Sequence, residues 1–504
     1  MQYMAAHDRR KGQGMKSGDL RRITGTFGIL AMLLGSMFGF ASSAALAAPL
    51  RLNVPCNTDS LISAINSANA NAAGGTLVLA AHCTYRITTP ATVDDGLPPI
   101  TGNLTMKGQS ATITRDSADA TPQFRIFNVA SGATLNVDFL TISNGSTTGL
   151  GGAIHVDGDA SISNSTLSNN RASSGGGISA SIDANVTVTT TTFRDNTTTG
   201  VGGGAVIVFG KVHVNRSTFV GNDAPINGGA INNQPNGTLT VISSTFANNA
   251  AGGIGGAVSN LGSAALTNLT FSGNSGSDGD VLGTGNSTIT LSNSILNDET
   301  DHNECSPAGQ IGGNYNLVSD DSCNTSSTSH VISPSFPLSL GPLQYNGGQT
   351  QTMLPSTRST GVIDRIPVVN CVAADASNPG ATIAVTTDQT GISRPQGRSC
   401  DIGAVEATTD PVLFPLLTTV VYDAQRHNIS SLGLVVTAFN IAPLDQPWDG
   451  TQGNMQRQFT YNSRAAGGEY QLIAIVRRLP RGDYALSYEI EGDPAGYIIK
   501  FTVR

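Results

Sequence analysis

Six carboxylates crowd one stretch of this chain: Asp278, Asp280, Asp298, Glu299, Asp301 and Glu304. Oxygen ligands at that density are what a hard cation such as Ca²⁺ takes, and like charges held close repel unless solvent or a cation screens them. Asp278, Asp280 and Asp301 are therefore candidate calcium ligands, with solvated loops as the competing reading. Calcium is the one cofactor the residues raise. A polysaccharide lyase would further need a Lys or Arg base beside its acidic residues. The available set is Asp94, Asp95, Arg171, Arg194, Lys211 and Arg216, and no spacing brings two carboxylates and one base onto one face. His155 and His213 are separated by a non-integral number of the repeats described below, so they should not stack, and both read as surface residues. Asp320 and Asp321, next to Cys323, read as a structural turn. No residue is assigned a catalytic role.

Cys56, Cys83, Cys305, Cys323, Cys371 and Cys400 make an even set. In an exported chain that favours disulfides, and sequence proximity favours Cys56–Cys83, Cys305–Cys323 and Cys371–Cys400. No C-x-x-C pair or Cys/His cluster argues for zinc. Export is itself readable. Lys16, Arg21 and Arg22 precede an apolar run from Phe27 to Phe40, and Ala45-Leu46-Ala47 offers a cleavage site. Residues 1–47 thus read as a signal peptide, with Met15 an alternative start. The apolar run is short for a membrane span, and no later segment is long and apolar enough to be one.

The elements that must position these groups come from a repeat. Leu140, Leu167, Phe193, Phe219, Phe246, Phe271 and Leu296 recur at spacings of 27, 26, 26, 27, 25 and 25 residues. Five residues before them stand Leu135, Ile162, Val188, Val214, Val241, Leu266 and Leu291. Seven before stand Ala133, Ala160, Val186, Val212, Leu239, Ala264 and Ile289. The column between is mostly small or polar, so each coil has the in-out-in alternation of a strand. Three residues after the anchors come Ser143, Asn170, Asn196, Asn222, Asn249, Asn274 and Glu299. Asn suits a left-handed corner, and stacked amides can hydrogen-bond from coil to coil. Glycine pairs such as Gly203-Gly204 and Gly228-Gly229 mark a second corner. The predicted fold is all-β: a right-handed parallel β-helix over 48–340, with Leu61, Ile62 and Ile65 on a short helix between Asp59 and Asn69 capping its open end.

The pairing of Gly-Gly-Ala-Ile (151–154, 228–231) with Phe-x-x-Asn (193–196, 246–249) resembles the repeats of chlamydial polymorphic outer-membrane proteins. The stretches 313–323, 340–348, 387–395 and 400–406 resemble the bacterial choice-of-anchor Q domain, and the segment 341–407 is identified with it. The resemblance implies an exported bacterial surface protein with a pectin-lyase-like β-helix, and it supplies no catalytic residue. Residues 408–504 change character and read as a small β-sandwich-like domain, with strands at 434–439, 471–476, 484–490 and 497–503.

Only 12% of residues are charged, and the formal charge is −8. Without residues 1–47, which carry six basic and two acidic side chains, it becomes −12. A basic footprint for nucleic acid is missing. The expected role is non-catalytic attachment or recognition of glycans or surface proteins, outside the cell or on its surface. The competing expectation is a polysaccharide lyase or glycosidase on the same fold.

Overall fold

The computed structural model describes residues 48–407, apart from 286, 299–302, 307–309, 324–327, 334–336 and 357–358, together with six strands between 417 and 503. The signal-peptide expectation falls on residues outside this set, as do Asp301 and Glu299.

From Leu50 to Val331 the chain winds into a right-handed parallel β-solenoid of about 10 turns. One coil shows how. Asn185–Thr189 and Thr192–Arg194 are joined by a sharp bend, Thr197–Gly202 follows a second corner, and Val206–Val208 follows a third. The next coil repeats these strands in parallel register, pairing Val186 with Val212, Phe193 with Phe219, and Val206 with Ile231. From Ala160 to Leu296 the inward columns land where their apolar pattern requires. Phe193, Phe219, Phe246 and Phe271 are wholly buried and stack with ring centroids 4.7, 4.6 and 5.0 Å apart. Each such burial contributes about 1.5–3 kcal/mol.

Two details differ from the sequence reading. In the first regular coil, Ile142 rather than Leu140 pairs with Leu167, and Leu135 pairs with Ala160 rather than Ile162. A slip of two keeps every side chain on its own face, so alternation alone cannot detect it. Gly145, three residues after Ile142, then takes the place in the column that Asn170 holds in the next coil, and its N–H donates to Asn170 Oδ1 at 2.9 Å. The second correction concerns the Asn column. The left-handed residues are those just before it, Asn169 (φ 55°), Asp195 (φ 52°), Gly221, Asn248 (φ 54°) and Gly273. The column itself is an amide ladder. Asn170, Asn196, Asn222 and Asn249 each donate Nδ2–H to Oδ1 of the next coil's Asn at 2.9–3.0 Å. Each also donates to a backbone carbonyl, as Asn222 does to Phe193 at 3.1 Å. Asp298, not Glu299, takes the last position, accepting the Asn274 backbone N–H at 2.6 Å.

The N-terminal end is covered by the helix Thr58–Ala70, which starts from a cap in which Asn57 accepts the Ser60 N–H. It buries Leu61, Ala64, Ile65 and Ala68 against the first coil, which hides the open strand edge. All three expected disulfides are present: Cys56–Cys83 at the cap, Cys305–Cys323 at the last coils, and Cys371–Cys400 in the tail. The C-terminal strands form two small antiparallel sheets, one of Leu417–Val420, Gln471–Ala474 and Thr460–Asn462, the other of Val436–Pro443, Gly482–Ile490 and Asp493–Val503.

Candidate functional site

The bend inside each coil has a consequence outside it. A left-handed residue sits at every bend: Ser110, Phe139, Asn164, Thr190, Arg216, Ser243, Asn268 and Asn293. Two residues later stands a threonine in coil after coil, and Thr112, Thr141, Thr166, Thr192, Thr218, Thr245 and Thr270 pair in unbroken register. These two columns are the walls of a trough running along the solenoid axis. Neighbouring coils place equivalent side chains about 4.8 Å apart. The threonine column was legible as the residue preceding each anchor. The two-residue slip in the first coil hid its continuation through Thr141.

The tail fills the second half of this trough. Gln389 lies in it, accepting from Thr245 Oγ1 at 2.6 Å, with its Nε2 2.9–3.1 Å from Thr218 Oγ1, Ser217 O, Thr350 Oγ1 and Gln351 O. Thr350 donates to the Arg216 carbonyl, Thr218 donates to the Gln351 carbonyl, and the Ala404 N–H donates to Thr270 Oγ1. Thr218, Thr245 and Thr270 are accordingly no more than 1% exposed. The motifs that resemble the choice-of-anchor Q domain hold the tail in shape. Arg394 Nη1 meets Glu406 Oε2 at 2.7 Å with both side chains at most 1% exposed, and Arg394 also donates to the carbonyls of Asp401 and Gly403. Burial, then the neighbouring Glu406, pushes the Asp401 carboxyl up to about 7. This network fastens the tail and is closed to substrate.

The first half of the trough is open. It encloses about 240 Å³ between Thr141, Thr166, Thr192, Asn164, Thr190 and Ser110, with Tyr345 and Gln349 of the tail as its end wall. Its polar lining consists of hydroxyls and amides, and none of the lining residues is Asp, Glu, His, Lys or Arg.

The other candidates do not converge. Asp278 accepts from Ser306 Oγ at 3.3 Å, and Asp280 is buried and accepts the Gly276 N–H at 2.8 Å. Asp301 lies outside the described residues, and among those described no three of His, Cys, Asp or Glu come together as metal ligands. Asp298 and Glu304 instead end the amide ladder. Burial raises Asp298 to about 7 and Glu304 to about 8. Glu304 Oε1 accepts from the backbone N–H groups of Asp298 and Ser319 and from the Ser319 hydroxyl, while Oε2 has no partner among the described residues. Asp320 does serve a turn, accepting from the Ser322 and Glu304 N–H groups. Asp95 pairs with Arg125 at 3.6 Å, Arg194 donates to Gln351, and Lys211 opens a strand on another face of the coil from Arg171. His155 and His213 sit in different sheets, and burial lowers the pKa of each. Both are half-buried rather than exposed, His155 beside Asp157 at 3.3 Å.

Fold and trough together define a class: a disulfide-stapled parallel β-solenoid whose own tail occupies half of a polar groove. No family model matches the chain, no curated protein is similar to it, and no solved structure matches it.

Proposed function

We propose that this is an exported bacterial surface protein of the choice-of-anchor Q kind, which recognises glycans or surface partners without cleaving them. The observation that carries this reading is the lining of the open trough, where hydroxyls and amides are dense and none of the lining residues is itself a carboxylate, histidine or cation. Glycosidic cleavage by the common routes needs a pair of carboxylates, and lyase chemistry needs a positioned base. The carboxyls raised to about 7 or 8, Asp298, Glu304 and Asp401, are 2%, 0% and 1% exposed, so a polymer cannot reach them. Export is supported by the N-terminal leader pattern and by three disulfides, which persist in oxidising compartments. The test is a glycan array run beside a depolymerisation assay on the purified protein. Binding without cleavage is expected. Unsaturated, ultraviolet-absorbing products or released reducing ends would establish the lyase or glycosidase reading instead.

A further inference from the structure

The geometry points to the open half of the trough, over Ser110 to Thr192, as the binding site for a neutral polysaccharide chain lying along the solenoid axis. This rests on the recognition reading above and names its site and ligand class.

The two halves of the groove are built alike. Beneath the tail, Thr218, Thr245 and Thr270 use their hydroxyls on Gln351, Gln389 and Ala404. Gln389 brings both amide ends into the groove to meet them. The uncovered coils present the same columns in the same register, and there Thr141 and Thr166 remain half-buried. What fits the open half is therefore, like the tail, a chain rich in hydrogen-bonding groups.

Ser110 and Gln349, both half-buried, add a hydroxyl and an amide to the lining of the open trough. Asn164, also in the lining, donates its Nδ2–H to Asp138 at 2.8 Å.

Chemistry then selects the ligand class. None of the lining residues is charged, and the two charged groups bonded to the lining, Arg216 at Thr190 and Asp138 at Asn164, are opposite in sign, so the trough has no net preference for a uronate or phosphate polymer. Sugar hydroxyls act as donor and acceptor together and match a lining of hydroxyls and amides. The half-buried Tyr345 at the end wall adds a ring with an apolar face and a polar tip, suited to the face of a pyranose. The coil rise of about 4.8 Å also lets successive sugar units meet equivalent threonines.

The experiment titrates the full chain with neutral oligosaccharides (cello-, malto- and manno-oligomers), with oligogalacturonate, and with a peptide copying residues 344–352. Wild type is compared with a Thr141→Val/Thr166→Val double variant, which keeps the β-branched shape and removes two hydroxyls. Thr199→Val, on the exposed face of the Thr197–Gly202 strand in another sheet, is the control, and thermal melting confirms that each variant folds. The expected result is binding of at least one neutral oligomer, weakened about tenfold or more in the double variant and unchanged in Thr199→Val. Should the double variant not fold, Tyr345→Phe and Gln349→Ala read the same site from the tail side. Neutral glycans bound equally by wild type and trough variants would overturn the site while leaving the recognition reading intact. Preference for oligogalacturonate, or for the peptide, would overturn the ligand class. Binding of no glycan at all would overturn both.

Discussion

Gln389 and Thr218 are 171 residues apart in the chain, yet the amide nitrogen of one lies 2.9 Å from the hydroxyl oxygen of the other. That contact sits at the centre of the tail's attachment, because the same Gln389 side chain reaches Thr245, Thr350 and Gln351. Replacing it with alanine leaves several buried groups unpaired at about 1–3 kcal/mol each. Gln389→Ala should therefore open residues 341–407 to limited proteolysis well before the coils are cut. Equal protection of tail and coils in the variant would show that the tail is held elsewhere.

The aromatic stack gives a second test. Phe219 packs between Phe193 and Phe246 with no exposure, so Phe219→Ala leaves a cavity the flanking coils cannot close. A loss of about 3–5 kcal/mol is expected from chemical denaturation. A loss below about 1 kcal/mol would mean that the coil collapses around the site.

The amide ladder predicts more than its side-chain volume would. Asn222 donates to Asn249 Oδ1 and to the Phe193 carbonyl, and its own Oδ1 accepts from both nitrogens of Asn196. Asn222→Ala should destabilise by about 3 kcal/mol or more, since several buried partners are orphaned together. Amide hydrogen exchange should quicken first at Asn196 and its neighbours. Unchanged exchange there would refute the ladder's role.

Acidity at the end of the ladder has a definite sign. The carboxyls of Asp298 and Glu304 titrate near 7 and 8 when folded, above the ordinary values of 3.8 and 4.5. The folded state then binds more protons than the unfolded state between about pH 4 and pH 8, so these groups make stability fall as pH rises through that window. Melting temperatures of an Asp298→Asn/Glu304→Gln variant should fall less steeply from pH 5 to pH 8 than those of wild type. An identical slope would show that both groups are already ionised in the folded protein.

The Cys305–Cys323 disulfide spans 18 residues at the last coils. Chain entropy assigns such a loop about 3 kcal/mol. Replacing both cysteines with alanine should lower stability by that amount, seen as a shift in the denaturation midpoint with the N-terminal coils retained.

Much of the fold was legible because the solenoid's periodicity is local. Each coil repeats its apolar columns within about 26 residues, so the spacing of Phe193 and Phe219 is enough to imply that they stack. The short-range disulfides follow from proximity for the same reason. What alternation cannot supply is an absolute register. Leu140 and Ile142 both lie on the inner face, and the pairing that selects Ile142 sets Gly145, not Ser143, against Asn170. The trough was half visible. Its threonines repeat in plain view, but nothing local to them says that residues arriving from beyond 340 will cover Thr218 and leave Thr166 open. In the acidic cluster, Asp298 ends the buried amide ladder, a role that adjacency in sequence does not reveal.

Hydrogen–deuterium exchange on the full chain, with and without a saturating neutral oligosaccharide, is the decisive measurement for glycan recognition in the trough. Ligand-dependent protection is predicted at three separated segments that meet only in the folded trough: 139–141, 164–166 and 344–349. Protection confined to other faces of the solenoid, or progressive loss of the oligosaccharide during the experiment, would contradict it.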